Sequence, residues 1–248
     1  EPESLSLDGL LVHVGSEVTM TILIPEDIAK GEELNTGTSM TGHGVFDKLG
    51  YLPLESLWDP AELICEVPEK RGQFNYTGTS LEEFNHIPIE SQVEGSVSRY
   101  WYPQYRDIHT GIRLKLEKIL GRKLYNTYYY DRFYFPGQDL KVHIDRDACE
   151  ISVTIHVGTN LTGTDAEWPI GIKCVDGEAV TLSLEPGDAV LYKGCERPHW
   201  REPMPKPRRR KRDIILRRPE KEYYYHQIFF HYVLVDGERA HCAWDRSR

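Results

Sequence analysis

Tyr134-Phe135-Pro136-Gly137-Gln138-Asp139-Leu140-Lys141-Val142-His143-Ile144-Asp145 reads as the end of one strand, a Pro-Gly turn and the start of another. Side chains two apart in a strand share a face, so His143 and Asp145 can reach one ion. Alone, the pair reads equally well as an exposed strand carrying a salt bridge, because a short gapped motif arises by accident. Farther along, Arg197-Pro198-His199-Trp200-Arg201 follows the turn Pro186-Gly187-Asp188 and the run Ala189-Val190-Leu191-Tyr192. His199 by itself reads as a structural histidine beside Trp200. Together, two imidazoles and one carboxylate can cap one face of a transition metal and leave the other face open.

Around this pair of segments the texture is that of strands. Residues 123–135, 150–157, 170–175, 179–184, 189–192 and 225–235 are dense in β-branched and aromatic side chains. Pro136-Gly137, Asp176-Gly177, Pro186-Gly187-Asp188 and Asp236-Gly237 separate them. Short strands at this spacing predict an antiparallel sandwich or barrel, a mainly β fold. Before it, Ile108, Ile112, Leu114, Leu116, Ile119 and Leu120 recur at roughly helical spacing and Gly121 stops the run, so a helix packed on the sheet is expected.

Residues 10–24 read as two short strands joined near Gly15-Ser16. Residues 25–95 are rich in Gly, Glu, Pro, Thr and Asn and show no steady period, which predicts an irregular extension. The expected division is therefore residues 1–95, an N-terminal extension packed on the core, and residues 96–248, the β domain, with flanking helices.

A chain of 248 residues is long enough for one large β core. No run approaches the roughly 18 consecutive apolar residues of a membrane span, so a soluble protein that makes no membrane contact is expected. Five scattered cysteines (Cys65, Cys149, Cys174, Cys195 and Cys242) fit reduced thiols in a cytoplasm better than a disulfide framework. The formal charge of −9 argues against nucleic-acid binding by the surface as a whole. Residues 206–218 dissent, with Lys206-Pro207-Arg208-Arg209-Arg210-Lys211-Arg212 and then Arg217-Arg218. Such a run reads first as a solvated loop, second as a dock for an acidic partner or an anionic substrate, and third as a nuclear-localisation or nucleic-acid patch.

Tyr134, Gly137, Leu140, His143 and Asp145 spell a pattern that resembles the start of the metal site in prolyl-4-hydroxylase-like Fe(II)/2-oxoglutarate dioxygenases. Cys149-Glu150-Ile151-Ser152, Trp168-Pro169-Ile170, Glu185-Pro186-Gly187-Asp188, Tyr192-x-Gly194-Cys195, His199-Trp200-Arg201-Glu202-Pro203 and Gln227-Ile228-Phe229-Phe230-His231-Tyr232 resemble phage and bacterial members of that superfamily. The likeness spans residues 110 to 237. It implies a double-stranded β-helix (jelly roll, cupin-like) whose mouth holds Fe(II) on His143, Asp145 and His199. It also implies 2-oxoglutarate and O2 as co-substrates, and a small molecule or a peptidyl residue as substrate. A carboxylate at Asp145 favours hydroxylation over halogenation, since the related halogenases place a small residue there.

A keto dicarboxylate chelated at one end needs a cation at the other. In the family this is commonly an Arg or Lys on the final strand. Here that strand reads Tyr225-His226-Gln227-Ile228-Phe229-Phe230-His231, with no such cation. Arg201, two residues past His199, is the candidate instead, with a surface arginine covering Trp200 as its other reading. Tyr134 matches the tyrosine that helps hold the co-substrate in prolyl hydroxylases, and reads equally as a core aromatic. Ser152, Thr154 and His156 would line one strand face, either as co-substrate partners or as ordinary cross-strand polar pairs. Arg132 and Arg146 flank the ligand segment and are candidates for an acidic substrate group or for structural salt bridges. Two rival activities use the same ligands: a non-catalytic cupin-like metal-binding protein and a zinc-dependent hydrolase.

Overall fold

The computed structural model describes residues 7–13, 19–25, 42–207 and 222–245, so most of the basic stretch 206–218 lies outside it. In chain order come β1 (Leu7–His13), β2 (Thr19–Pro25), helix α1 (Gly42–Leu49), β3 (Tyr51–Leu54), β4 (Gly72–Tyr76), β5 (Phe84–Ile87) and β6 (Val97–Tyr100). Helix α2 (Arg106–Leu120), β7 (Leu124–Tyr134), β8 (Leu140–His143), β9 (Ile151–Thr159) and β10 (Ile170–Lys173) follow. The chain continues through β11 (Ala179–Leu182), β12 (Ala189–Tyr192), β13 (His199–Arg201) and β14 (Tyr225–Leu234).

A ten-stranded sheet has the order β1-β2-β3-β12-β9-β14-β7-β6-β4-β5, and a four-stranded sheet the order β11-β10-β13-β8. Pairing is antiparallel except between β4 and β6. This is the mainly β architecture that the strand pattern predicts, and the jelly roll that the resemblance implies.

The central strands of the larger sheet are buried on both faces, and the alternation of their side chains divides two environments. Tyr129 and Phe133 of β7, Val153 and Ile155 of β9, and Ile228, Phe230 and Tyr232 of β14 belong to the apolar cluster that also holds α1 and α2. Ile108, Ile112, Leu116, Ile119 and Leu120 are the buried stripe of α2, which ends at Gly121 with φ +63°. The opposite faces carry Tyr128, Tyr130, Tyr134, Tyr225 and Phe229, packed with Trp168, Leu140 and Met204. Buried Arg132, Ser152, Thr154, His156, Gln227 and His231 belong to the same alternation. Helix packing thus claims one face and leaves the polar face for the site.

Residues before 95 enter the same sheet: β3 pairs with β12, and β4 with β6. The expected division therefore runs through continuous pairing, and residues 42–95 are more regular than their composition suggests. Among the described residues no helix is long and apolar enough to cross a membrane.

Candidate metal centre and dicarboxylate pocket

β13 pairs with β8 so that His199 stands opposite His143, with a register shift between His199 and Arg201. The two segments far apart in sequence thus meet on the smaller sheet. His143 Nε2 and His199 Nε2 each lie 3.6 Å from Asp145 Oδ1, and ligand atoms of the three residues fall within 4.8 Å of one another.

The tautomers follow from the backbone. His143 Nδ1 donates to the Lys141 carbonyl at 2.8 Å, and His199 Nδ1 to the Arg197 carbonyl at 3.0 Å. A carbonyl only accepts, so each Nδ1 carries a hydrogen, and in the neutral ring each Nε2 keeps its lone pair on the side of Asp145. Asp145 Oδ2 accepts from Ser152 Oγ at 3.2 Å, which reserves Oδ1 for the ion. Ser152 Oγ also lies 3.0 Å from His231 Nδ1. Burial, the largest influence, would raise the Asp145 pKa, yet the surrounding His143, His199 and His231 hold it below its ordinary value. Burial lowers His199, whereas for His143 the Asp145 carboxylate outweighs burial and raises it. Two outward lone pairs and an ionised oxygen make a donor set suited to Fe(II) or zinc.

Beside this cluster lies a group of buried polar side chains. Arg201 is 2% exposed, donates through Nη1 to the Trp168 carbonyl, and packs against the Trp168 ring 4.8 Å away. Its Nη2 has no hydrogen-bond partner, and among the described residues it forms no ion pair with a carboxylate. Burial pushes its pKa down. His156 Nδ1 and Gln227 Nε2 are buried and unpartnered as well. Thr154 Oγ1 donates to Gln227 Oε1 at 3.0 Å, which turns the amide nitrogen of Gln227 outward, and the Tyr225 ring stacks on His156 at 4.1 Å. Burial, seconded by the charge of Arg201, drops His156 to about 3 and keeps it neutral. An unpaired buried guanidinium beside orphaned polar atoms is costly unless an anion completes it, and a carboxylate is the matching shape.

His143, Asp145, Ser152 and His199 therefore stand together, with Thr154, His156 and Arg201 in the adjoining pocket. Tyr134 is fully buried, its ring 4.9 Å from Trp168 and its hydroxyl 3.3 Å from Arg132 Nη1. For Arg132 the structure shows the salt-bridge side of the expectation. That side chain is fully buried and spent on Glu90, Gln92, Ser98 and Tyr134, because an isolated guanidinium at that depth requires a counter-charge. Arg146 is tied to Asp245 and lies over Tyr128. Sequence reasoning did not select Tyr225 and Gln227, although their two-residue spacing on one strand face was available as a signal.

A second cluster of potential ligands, Cys65, Asp131 and His226, sits on the helix-facing side. There Arg99 Nε donates to Asp131 Oδ1 at 3.0 Å and His226 Nε2 lies 2.7 Å from Oδ2, so the carboxylate already has its cation.

Among solved structures the chain is similar to a prolyl hydroxylase from Trichoplax adhaerens in complex with a peptide fragment of the hypoxia inducible factor oxygen degradation domain. The match has 13% identity, covers 90% of this chain and 97% of that one, and has a TM-score of 0.51. It is also similar to a 2OG-Fe(II) oxygenase family oxidoreductase from Burkholderia pseudomallei, at 11% identity, 80% and 92% coverage and a TM-score of 0.50. At these identities the likeness is one of fold. No family model and no curated protein matches the sequence.

Proposed function

We propose that the protein is an Fe(II)- and 2-oxoglutarate-dependent oxygenase that hydroxylates an unactivated C–H bond of an amino acid, a peptide or protein residue, or a small natural product. Succinate and carbon dioxide are the co-products. The observation that carries this reading is the adjacency of two preformed needs: a His-Asp-His cluster with outward ligand atoms, and a buried, unpaired Arg201 two residues along the same strand. His143, Asp145 and His199 would hold iron, which when bound supplies the coupling of keto-acid decarboxylation to oxygen activation.

The chain's own residues have separate tasks. Lys141 and Arg197 carbonyls orient the two imidazoles, and Ser152 fixes the ligand carboxylate. Arg201, with His156, Thr154, Gln227, Tyr225 and Tyr134 around it, would take the distal carboxylate of 2-oxoglutarate. The surrounding aromatic side chains exclude water from that ion pair, which strengthens it. A zinc hydrolase shares the metal ligands but has no use for a buried dicarboxylate partner, so the pocket favours the oxygenase.

An anaerobic titration with Fe(II) and 2-oxoglutarate, followed by the visible charge-transfer band and then by succinate release on oxygenation, tests this. His143→Ala, Asp145→Ala or His199→Ala should abolish the band. Arg201→Met should retain metal binding yet weaken 2-oxoglutarate at least about 30-fold, the loss expected for one partner of a buried charge pair. Metal binding with no 2-oxoglutarate-dependent band in the unaltered protein would refute the assignment.

A further inference from the structure

Asp145 lies just past the end of β8, so the strand ladder fixes only the chain that leads up to it. Its N–H donates to the Gly194 carbonyl at 2.9 Å, and beyond it the chain enters a short 3-10 turn, Asp147–Cys149. The direction in which the ligand carboxylate leaves the chain therefore depends on what holds that turn. On its inner side the Cys149 N–H donates to the Arg146 carbonyl at 2.8 Å, Thr127 Oγ1 to the Ala148 carbonyl at 2.7 Å and Ser152 Oγ to the Cys149 carbonyl at 3.1 Å.

On its outer side residues 239–245 hold it. Arg146 is paired with Asp245 and lies 4.5 Å from the centre of the Tyr128 ring. Arg239 Nε donates to Asp147 Oδ1 at 3.0 Å, and Arg239 Nη1 is 3.6 Å from Glu150 Oε1. Glu150 Oε2 accepts the Leu234 N–H at 2.8 Å, which ties the turn to the end of β14 as well. Isolated surface pairs contribute little to stability, but the side chains of Asp245 and Glu150 are only 13% and 11% exposed, and both pairs grip the same turn.

The gripping segment is itself held in an unusual shape. Ala240–Cys242 form a 3-10 turn, and Trp244 has φ +58°, a left-handed conformation that bulky side chains rarely adopt. The Trp244 N–H donates to the Asn126 carbonyl at 2.8 Å, and the Asp245 N–H to the Cys242 carbonyl at 3.1 Å. Strain of that kind persists only where surrounding contacts over-determine it. None of the pairs between this segment and the turn uses a side-chain atom of His143, Asp145 or His199, so an ion at the cluster does not compete with them.

We infer that Arg239 and Asp245 are positioning residues of the metal centre, which set the angle of the Asp145 carboxylate by pinning the turn that follows it. A ligand on a loose turn has to be ordered when metal binds, and affinity falls by that cost. The inference rests on the reading that His143, Asp145 and His199 bind the ion.

Co(II) alone, titrated anaerobically into the full chain and followed by its visible absorption, reads the effect, with urea midpoints measured on the same variants. Asp245→Asn and Arg239→Gln should each weaken Co(II) binding by about 3- to 10-fold, less than the roughly 10- to 100-fold for a group bonded directly to a metal ligand. Arg146→Gln should weaken it too, and adding Asp245→Asn to Arg146→Gln should cost nothing further, because one pair cannot be lost twice. Full Co(II) affinity in either Asp245→Asn or Arg239→Gln, additive losses in the double variant, or losses that only follow a falling urea midpoint would overturn the inference. His143→Ala separates the two levels: if it binds Co(II) like the unaltered protein, the ligand reading itself fails. If it loses binding while Asp245→Asn and Arg239→Gln keep full affinity, the ligands stand and only the positioning role is wrong.

Discussion

Gly194 shows how little slack surrounds the ligand carboxylate. A Cβ placed there would stand 2.6 Å from Asp145 Oδ2, 2.5 Å from the Cys149 carbonyl and 2.4 Å from Ser152 Oγ, while the Gly194 carbonyl accepts the Asp145 N–H at 2.9 Å. Two of those three neighbours cannot swing away, one being backbone and the other the group that reserves Oδ1 for the ion. Gly194→Ala should therefore leave the secondary structure intact yet weaken metal affinity by about 10- to 100-fold, the range for disturbed partners of metal ligands. Circular dichroism with a Co(II) titration checks it, and wild-type affinity would show that the carboxylate is free to adjust. The glycine was visible in the sequence as part of Tyr192-x-Gly194-Cys195. Its reason was not, since Asp145 and Ser152 reach it only in the folded chain.

At the scale of elements, α2 exists because Ile108, Ile112, Leu116 and Ile119 form one stripe, and it stays put because that stripe seals the apolar face of β7, β9 and β14. Ile112 is fully buried, so Ile112→Ala should cost about 2–5 kcal/mol of unfolding free energy from lost transfer energy plus the cavity left behind. Urea denaturation measures it, and a loss under about 1 kcal/mol would mean that the helix is not the seal described. This helix and the long strands were legible because their periods run for many residues. β13, three residues long, was not legible as a strand, whereas β8, four residues long, was read as one only from the Pro-Gly turn before it. Too few side chains alternate in them to establish a period, and only their partners define them.

At the scale of the whole molecule, the wrapping of the sheets and helices buries imidazoles that must stay neutral. His109 Nε2 donates to the His231 carbonyl, 3.0 Å away, and burial drops its pKa to about 3. Burial likewise lowers His231 to about 4. An unfolded histidine protonates near pH 6.5, so the unfolded chain binds the proton first and the folded state is the one penalised. That stability is fully present above about pH 6.5 and drains as pH falls toward the folded values, at up to about 1.4 kcal/mol per pH unit for each such histidine. The urea midpoint should accordingly be lower at about pH 5 than at about pH 7.5, and equal midpoints would contradict neutral burial.

Local order determined what the sequence could announce by itself. Strand alternation gave the β class, the α2 stripe gave the helix, and the i, i+2 spacing put His143 with Asp145 and His199 with Arg201 on shared faces. Those are properties of neighbours along the chain. Only the tertiary structure decided that His143 and His199 face each other across β8 and β13 with Asp145 just past the end of β8, and that Arg132 is consumed by Glu90 while Arg201 has no carboxylate partner among the described residues. Burial and the pairing of charges depend on which distant segments pack together, and no periodicity within either segment encodes that.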